Sequence, residues 1–232
     1  MPTMRDPHPQ GRDTIREDFD RIARLSDEKW DHNQQYHRYL LRRIPQHITN
    51  GLDIGCGKGA FTRLLGERGD SVKGIDLSPE MIAEAKRRTA GQNIKYSIAD
   101  IRETELPSNH YDCITSIATL HHLPLKETLK QIKDALAPGG VLAVLDLYQA
   151  KTLWDYVISS AAVPLNLACS LLKTGRFRHN KTDAWRMHGA HETILPLGKI
   201  RKVYEAVLPG ARIKRHLFWR YSSVWVKPDK RD

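Results

Sequence analysis

The stretch LDIGCGKG, Leu52 to Gly59, sets three glycines at alternate positions directly after an apolar run. Glycine weakens a strand or helix interior by roughly 0.5–1 kcal/mol, so the triplet implies that something approaches the backbone closely. A glycine loop between a strand and a helix aims backbone N–H groups at a ligand beside the helix N-terminus. Three carboxylates accompany it: Asp53 inside the apolar run, Asp76 closing SVKGID, and Asp100 closing SIAD. A carboxylate at the end of a second strand accepts hydrogen bonds from ribose hydroxyls and repels a 2′-phosphate. The dinucleotide fingerprint is G-x-G-x-x-G, whereas Gly55, Gly57 and Gly59 are evenly spaced, which argues against a nicotinamide-dependent dehydrogenase.

Other side chains could take part in chemistry. His121 and His122 follow the apolar run ITSIATL, and His188 and His191 stand in WRMHGAHETI. His32, Tyr36 and Tyr39 share one helical face, which would suit either a lid or ordinary packing. Trp219, Arg220 and Tyr221 read as core aromatics with a snorkelling arginine, and Trp219 is kept as a substrate candidate. His191 is the preferred general base, with His122 beside it; His32, Tyr36, His121 and His188 complete the substrate candidates. Adjacent histidines do not converge on one ion and no ligand spacing is evident, so the chemistry is expected to need no metal.

The elements that position these groups follow from periodicity. Residues 14–45 have helical spacing ended by Pro45. From Gly51 short apolar runs alternate with amphipathic ones. GLDIG, SVKGIDLS, IKYSIAD, YDCITSIATL and VLAVLDLY read as strands. AFTRLLGERG, SPEMIAEAKRRTA and PLKETLKQIKDALAPGG read as helices, the second capped by Ser78 with Pro79 at its first position, the third closed by Pro138 and Gly139. Such alternation predicts an α/β fold with a doubly wound parallel sheet covered on both faces. Ligands of open α/β sheets bind at the carboxyl ends of the strands, where the glycine loop, Asp76 and Asp100 all converge.

LDIGCGKG, GIDLSPEMI, IADI, YDCITSIATLHHL and LKQIKDALAPGGVLAVLD, taken in order, resemble the motifs of class I S-adenosylmethionine-dependent methyltransferases, and the small-molecule group with the quinone-biosynthesis enzymes in particular. The resemblance covers roughly residues 45–148. It implies a Rossmann-like seven-stranded, mainly parallel sheet with an antiparallel C-terminal hairpin strand, and S-adenosyl-L-methionine as cofactor with S-adenosyl-L-homocysteine as product. Asp53, Gly55, Gly57 and Gly59 would cradle the methionine part, Asp76 the ribose, with Leu77 and Met81 flanking the adenine. Asp100 would accept from the adenine amino group with Ile101 alongside, and Ile117 would meet the methionine backbone. Tyr36 and His122 join the cofactor set. Cys56 joins it as a small packing residue rather than a nucleophile. The expected organisation is a disordered leader at 1–13, lid helices at 14–45, the cofactor core at 46–148, a helical cap over the acceptor at 149–195, and a closing helix and hairpin at 196–228.

The chain has 232 residues with 40% apolar and 28% charged side chains, an ordinary soluble composition that can build its own core. Cys56, Cys113 and Cys169 are too few and too scattered for a disulfide framework, and the opening residues lack an apolar signal core, so a reducing, cytoplasmic setting is expected. Net charge is +1 over residues 1–50, −1 over 51–150 and +10 over 151–232. That asymmetry fits either an acidic partner, whether substrate, tRNA or an anionic membrane, or a merely soluble basic surface. Residues 156–172 carry no charge and precede Lys173, Arg176, Arg178 and Lys181. They read as helices broken near Pro164 that cap the acceptor pocket, or as an interfacial element. The expected activity is methyl transfer to a small, apolar or acidic acceptor. The alternatives are a tRNA wobble-uridine-type methyltransferase and a cofactor-binding module without catalysis. The residues name neither the acceptor nor the oligomeric state.

Overall fold

The computed structural model describes residues 11–25, 33–150 and 194–229. The expectations for residues 1–10, for His32, and for the cap with His188 and His191 lie outside the described residues.

Apolar runs become strands and amphipathic runs become helices in the order that periodicity predicts. An N-terminal helix α1 (Arg12–Ala23) precedes a 3₁₀ turn (Gln34–Tyr36) and the short α2 (His37–Leu41). Then come β1 (Ile48–Ile54), α3 (Ala60–Gly66), β2 (Gly69–Asp76), α4 (Pro79–Arg87), β3 (Ile94–Ile98) and β4 (Tyr111–Ile117). A 3₁₀ turn (Leu120–His122), α5 (Leu125–Ala135) and β5 (Leu136–Leu147) follow, and α6 (Leu197–Val207), β6 (Arg212–Arg215) and β7 (Arg220–Val226) close the chain. Residues 12 and 13, assigned to the leader above, belong to α1: the amides of Thr14 and Ile15 bond the Gly11 carbonyl, and Asp13 sits in the positive first turn. α5 ends at Ala135, short of Pro138, because Leu136 turns extended and pairs with Tyr111.

One sheet holds all seven strands in the order β3-β2-β1-β4-β5-β7-β6. β1 to β5 run parallel, β7 is antiparallel to β5, and β6 is antiparallel to β7. The order reverses direction between β1 and β4, the switch point where the carboxyl ends splay and leave a crevice. α5 and α6 bury Leu129, Ile132, Ile200 and Tyr204 on one face of the sheet. On the other, Leu40, Phe61 and Leu65 from α2 and α3 pack over Val72, Cys113 and Ala143. Double coverage explains why these strands read as nearly continuous apolar runs.

Candidate active site

The glycine loop leaves β1 at the switch point. Gly55, Gly57 and Gly59 have φ of 70°, 51° and 75°, a left-handed backbone that costs an L side chain roughly 1–2 kcal/mol. The amides of Gly55 and Cys56 both donate to the Ile75 carbonyl, at 2.9 and 3.0 Å, which ties the loop to the end of β2. What lies beside each glycine differs. A Cβ on Gly57 would meet nothing within 4 Å, so this glycine faces open space. On Gly55 it would lie 2.0 Å from Thr119 Oγ1, and on Gly59 2.4 Å from the Tyr96 hydroxyl. Behind Gly55 the space is therefore filled by Thr119, held by its hydroxyl bond to the Ile117 carbonyl.

The three acids hold three different settings. Asp53 is 2% exposed and accepts from Thr62 of α3 at 2.7 Å and from Thr115 of β4 at 2.8 Å. Burial pushes its carboxyl up to about 6, against the pull of both hydroxyls. Asp76 accepts from the Gly57 amide at 2.8 Å and from the Ser78 amide at 2.9 Å. Burial raises its carboxyl too, and the two amides oppose that rise. Asp100 is gripped by Arg102 through both Nε and Nη2 and by Arg12 at 3.2 Å. Burial alone would raise it, but Arg102 and Arg12 together hold it below the usual carboxylate range. Asp100 therefore stays ionised, and Arg102 is a neighbour that sequence reasoning missed although it lies two residues away.

Helix α1 lies across this carboxyl edge. Arg12 pairs with Asp100 and, at 2.6 Å, with Glu103. Asp20 accepts from Ser78, whose hydroxyl also caps α4 by accepting from the Met81 amide. Arg24 reaches Glu80, and Lys58 donates to the Leu25 carbonyl at 2.7 Å. Beneath α1, Arg12, Arg16, Leu77, Ala99 and Asp100 line a cleft of about 380 Å³.

Several expected contacts move. Met81 is covered by Ile22 and Ala23 of α1, and Ile101 is buried in the core with Leu120, so neither flanks the cleft. Ile117 packs half-buried against the opposite core. Cys56 is buried against Ile82, Ala85 and Tyr96, and burial with the nearby Asp76 and Asp53 charges drives its thiol far up, which suits a packing residue. Tyr36 and Tyr39 do not cover the crevice. Their rings pack on His216, 4.9 and 4.7 Å between centroids, and the Tyr36 hydroxyl donates to the Leu217 carbonyl. The covering helix is α1, because its apolar stripe Ile15, Phe19 and Ile22 faces inward.

The paired histidines sit at the turn after β4. His121 donates its backbone N–H to Asp146 Oδ2 at 2.9 Å, and its Nδ1 lies 2.5 Å from Oδ1. The His122 ring stands 3.9 Å from that of His121 and meets Phe19 of α1 edge-on at 5.6 Å. Both histidines are nearly buried, which makes them wall rather than open mouth. Asp146 was missed; the signal was a lone acid ending the apolar strand VLAVLDL, the same edge position that drew notice to Asp76 and Asp100. Trp219 is 40% exposed beside the end of β5, whereas Tyr221 is 2% exposed, so the core reading holds for Tyr221 and not for Trp219.

Residues 52–144 match a family described as methyltransferase domain. Over that stretch the chain is similar to the class I S-adenosylmethionine-dependent methyltransferases. An uncharacterised methyltransferase of Mycobacterium bovis is 29% identical over 208 residues, covering 87% of this chain and 99% of the relative. A trans-aconitate 2-methyltransferase of Streptomyces avermitilis is 38% identical over 123 residues, 49% of this chain and 45% of the relative. Among solved structures, the N-methyltransferase NodS from Bradyrhizobium japonicum, in complex with S-adenosylhomocysteine, has a TM-score of 0.63 at 18% identity, covering 92% of this chain and 98% of NodS. At that identity the likeness to this methyltransferase is one of fold.

Proposed function

We propose that this methyltransferase transfers the methyl group of S-adenosylmethionine to a small, apolar or acidic acceptor by in-line displacement. The observation that carries the reading is the open space beside Gly57, whose amide donates to Asp76, at the same carboxyl edge of the sheet as the cleft lined by Leu77 and Asp100. The residues present fit the cofactor. A left-handed glycine without a neighbour permits close approach of its amino-acid part, the Asp76 carboxylate accepts from hydroxyls, and the ionised Asp100 accepts from an amine. Bound there, S-adenosylmethionine supplies an electrophilic methyl on a positive sulfonium.

The chain's own part is placement. Holding two reacting groups collinear is worth roughly 7–11 kcal/mol of barrier, and a rigid loop hung from Ile75 and Asp76 supplies that kind of frame. α1 shields the edge from water. His122 stands at the wall between the loop after β4 and α1, where it bounds the acceptor side. His191 remains the proposed base, to act only where the acceptor must lose a proton, a contribution of perhaps 10²–10⁴-fold. The acidic part of the acceptor class draws support from the trans-aconitate relative.

The test is calorimetric titration with S-adenosylhomocysteine, then a screen of carboxylic acids, phenols, quinols, thiols and amines for its release. Saturable binding with turnover of a carboxylic acid or phenol supports the reading. No binding, while another nucleotide binds, refutes it; binding without any turnover leaves the non-catalytic alternative in its place.

A further inference from the structure

Two stretches without a single Asp or Glu, residues 33–52 and 206–228, lie far apart in sequence and pack together in the fold. Tyr39 is their meeting point. Its hydroxyl accepts from Ser222, its ring meets His216, the Arg43 guanidinium lies 3.4 Å above the ring centroid, and Lys214 Nζ lies 5.6 Å from it. Arg38, Arg42, Arg43, Arg212 and Lys214 are all exposed. Burial, then the charges of Lys214 and Arg43, hold the His216 imidazole down at about 4, so it stays neutral within a positive field. The packing of α2 on the β6–β7 hairpin brings the aromatic and basic residues of the two stretches together.

The hairpin has a second feature. Phe218 and Trp219 have φ of 59° and 55°, a left-handed backbone that is strained in non-glycine residues and costs of order 1–3 kcal/mol each. Burial of Phe218 sustains that turn, and its outcome is an exposed indole at the carboxyl edge of the sheet. Trp219 thus stands on the carboxyl edge beside the end of β5, with its carbonyl accepting from the Tyr148 amide.

We propose that the face formed by α2 and the β6–β7 hairpin binds the phosphate backbone of RNA and leads a single-stranded segment past Trp219 toward the crevice. Cations that neutralise phosphates supply affinity without sequence preference, and an exposed planar ring stacks on an unpaired base. An anionic bilayer is the other polyanion the charge would suit. It is disfavoured because an interfacial element needs a cluster of exposed apolar side chains, whereas the described residues offer, besides Trp219, only an isolated Val226 at the end of β7 and Ile98 on the distant β3. The inference goes beyond the small-molecule reading and does not depend on it.

The test uses the full chain, bulk tRNA and a fluorescent single-stranded oligoribonucleotide in anisotropy titrations across salt concentrations. Arg42→Glu with Lys214→Glu is expected to weaken tRNA binding on the order of 50-fold at about 0.1 M salt and to lower the salt slope by about 2. Trp219→Ala is expected to weaken the oligonucleotide about 5-fold or more and leave the slope unchanged. Lys86→Glu with Lys95→Glu, on the α4 and β3 side, is the control and is expected to change binding less than 5-fold. Circular dichroism and S-adenosylhomocysteine titration of each variant check the fold, with Arg42→Gln and Lys214→Gln as milder substitutes for a variant that fails. Absence of tRNA binding at low salt overturns the proposal. So does equal loss in the control pair, or flotation with anionic phosphatidylglycerol vesicles without RNA binding. A chain that binds RNA but no S-adenosylhomocysteine would sink the cofactor assignment and leave this face standing.

Discussion

Asp53 offers a direct test of how burial, rather than charge pairing, sets the glycine loop. Its carboxyl lies in the sheet between β1 and β4, touched by the hydroxyls of Thr62 and Thr115 and shielded from water. In the folded chain it titrates at about 6, against an ordinary value of 3.8. A folded-state pKa above the unfolded value means that the native state binds the extra proton between the two. Stability from this group is therefore full below about pH 4 and is lost as pH rises through 6. At 1.36 kcal/mol per pH unit, the loss is roughly 3 kcal/mol. Asp53→Asn keeps the shape and can still meet both hydroxyls, but carries no charge to desolvate. The variant is expected to match the parent near pH 4.5 and to exceed it by about 2–3 kcal/mol at pH 8, read from urea unfolding with unchanged slope. A gain that is the same at both pH values, or a loss at pH 8, would refute the argument that desolvation dominates over the two hydrogen bonds.

Gly55→Ala places a methyl on Thr119 in a left-handed backbone; the expected cost is about 2–5 kcal/mol. Adding Thr119→Gly should recover only the part owed to the clash, and a double-mutant cycle with no coupling would contradict the packing. Asp146→Ala removes the acceptor of the His121 amide, the His121 ring and the Leu147 amide. It is expected to cost roughly 3–5 kcal/mol, seen as a fall in Tm of at least about 6 °C. Arg12→Ala with Asp20→Ala loosens α1 from Asp100 and Ser78. S-adenosylhomocysteine should then associate and dissociate several-fold faster by surface plasmon resonance, and unchanged rates would show that α1 does not gate the cleft.

The elements of the core were legible in the residues because the rules that decide them are local. Alternate glycines permit a left-handed loop that other residues resist, Ser78-Pro79 starts a helix by capping chemistry, and apolar runs between amphipathic ones commit the chain to a covered parallel sheet. The carboxyl-edge positions of Asp76 and Asp100 follow from that topology. Which groups those carboxylates meet does not, since no local rule says that α1 will bring Arg12 to Asp100, or that the Gly57 amide will take Asp76. Thr119 behind Gly55, Asp146 behind His121, and Lys214 over the Tyr39 ring each join residues whose separation in sequence carries no signal of contact. Local conformational preference and periodicity are properties of short segments and survive in a bare sequence. Burial, charge pairing and the shape left beside a glycine exist only after distant segments have packed.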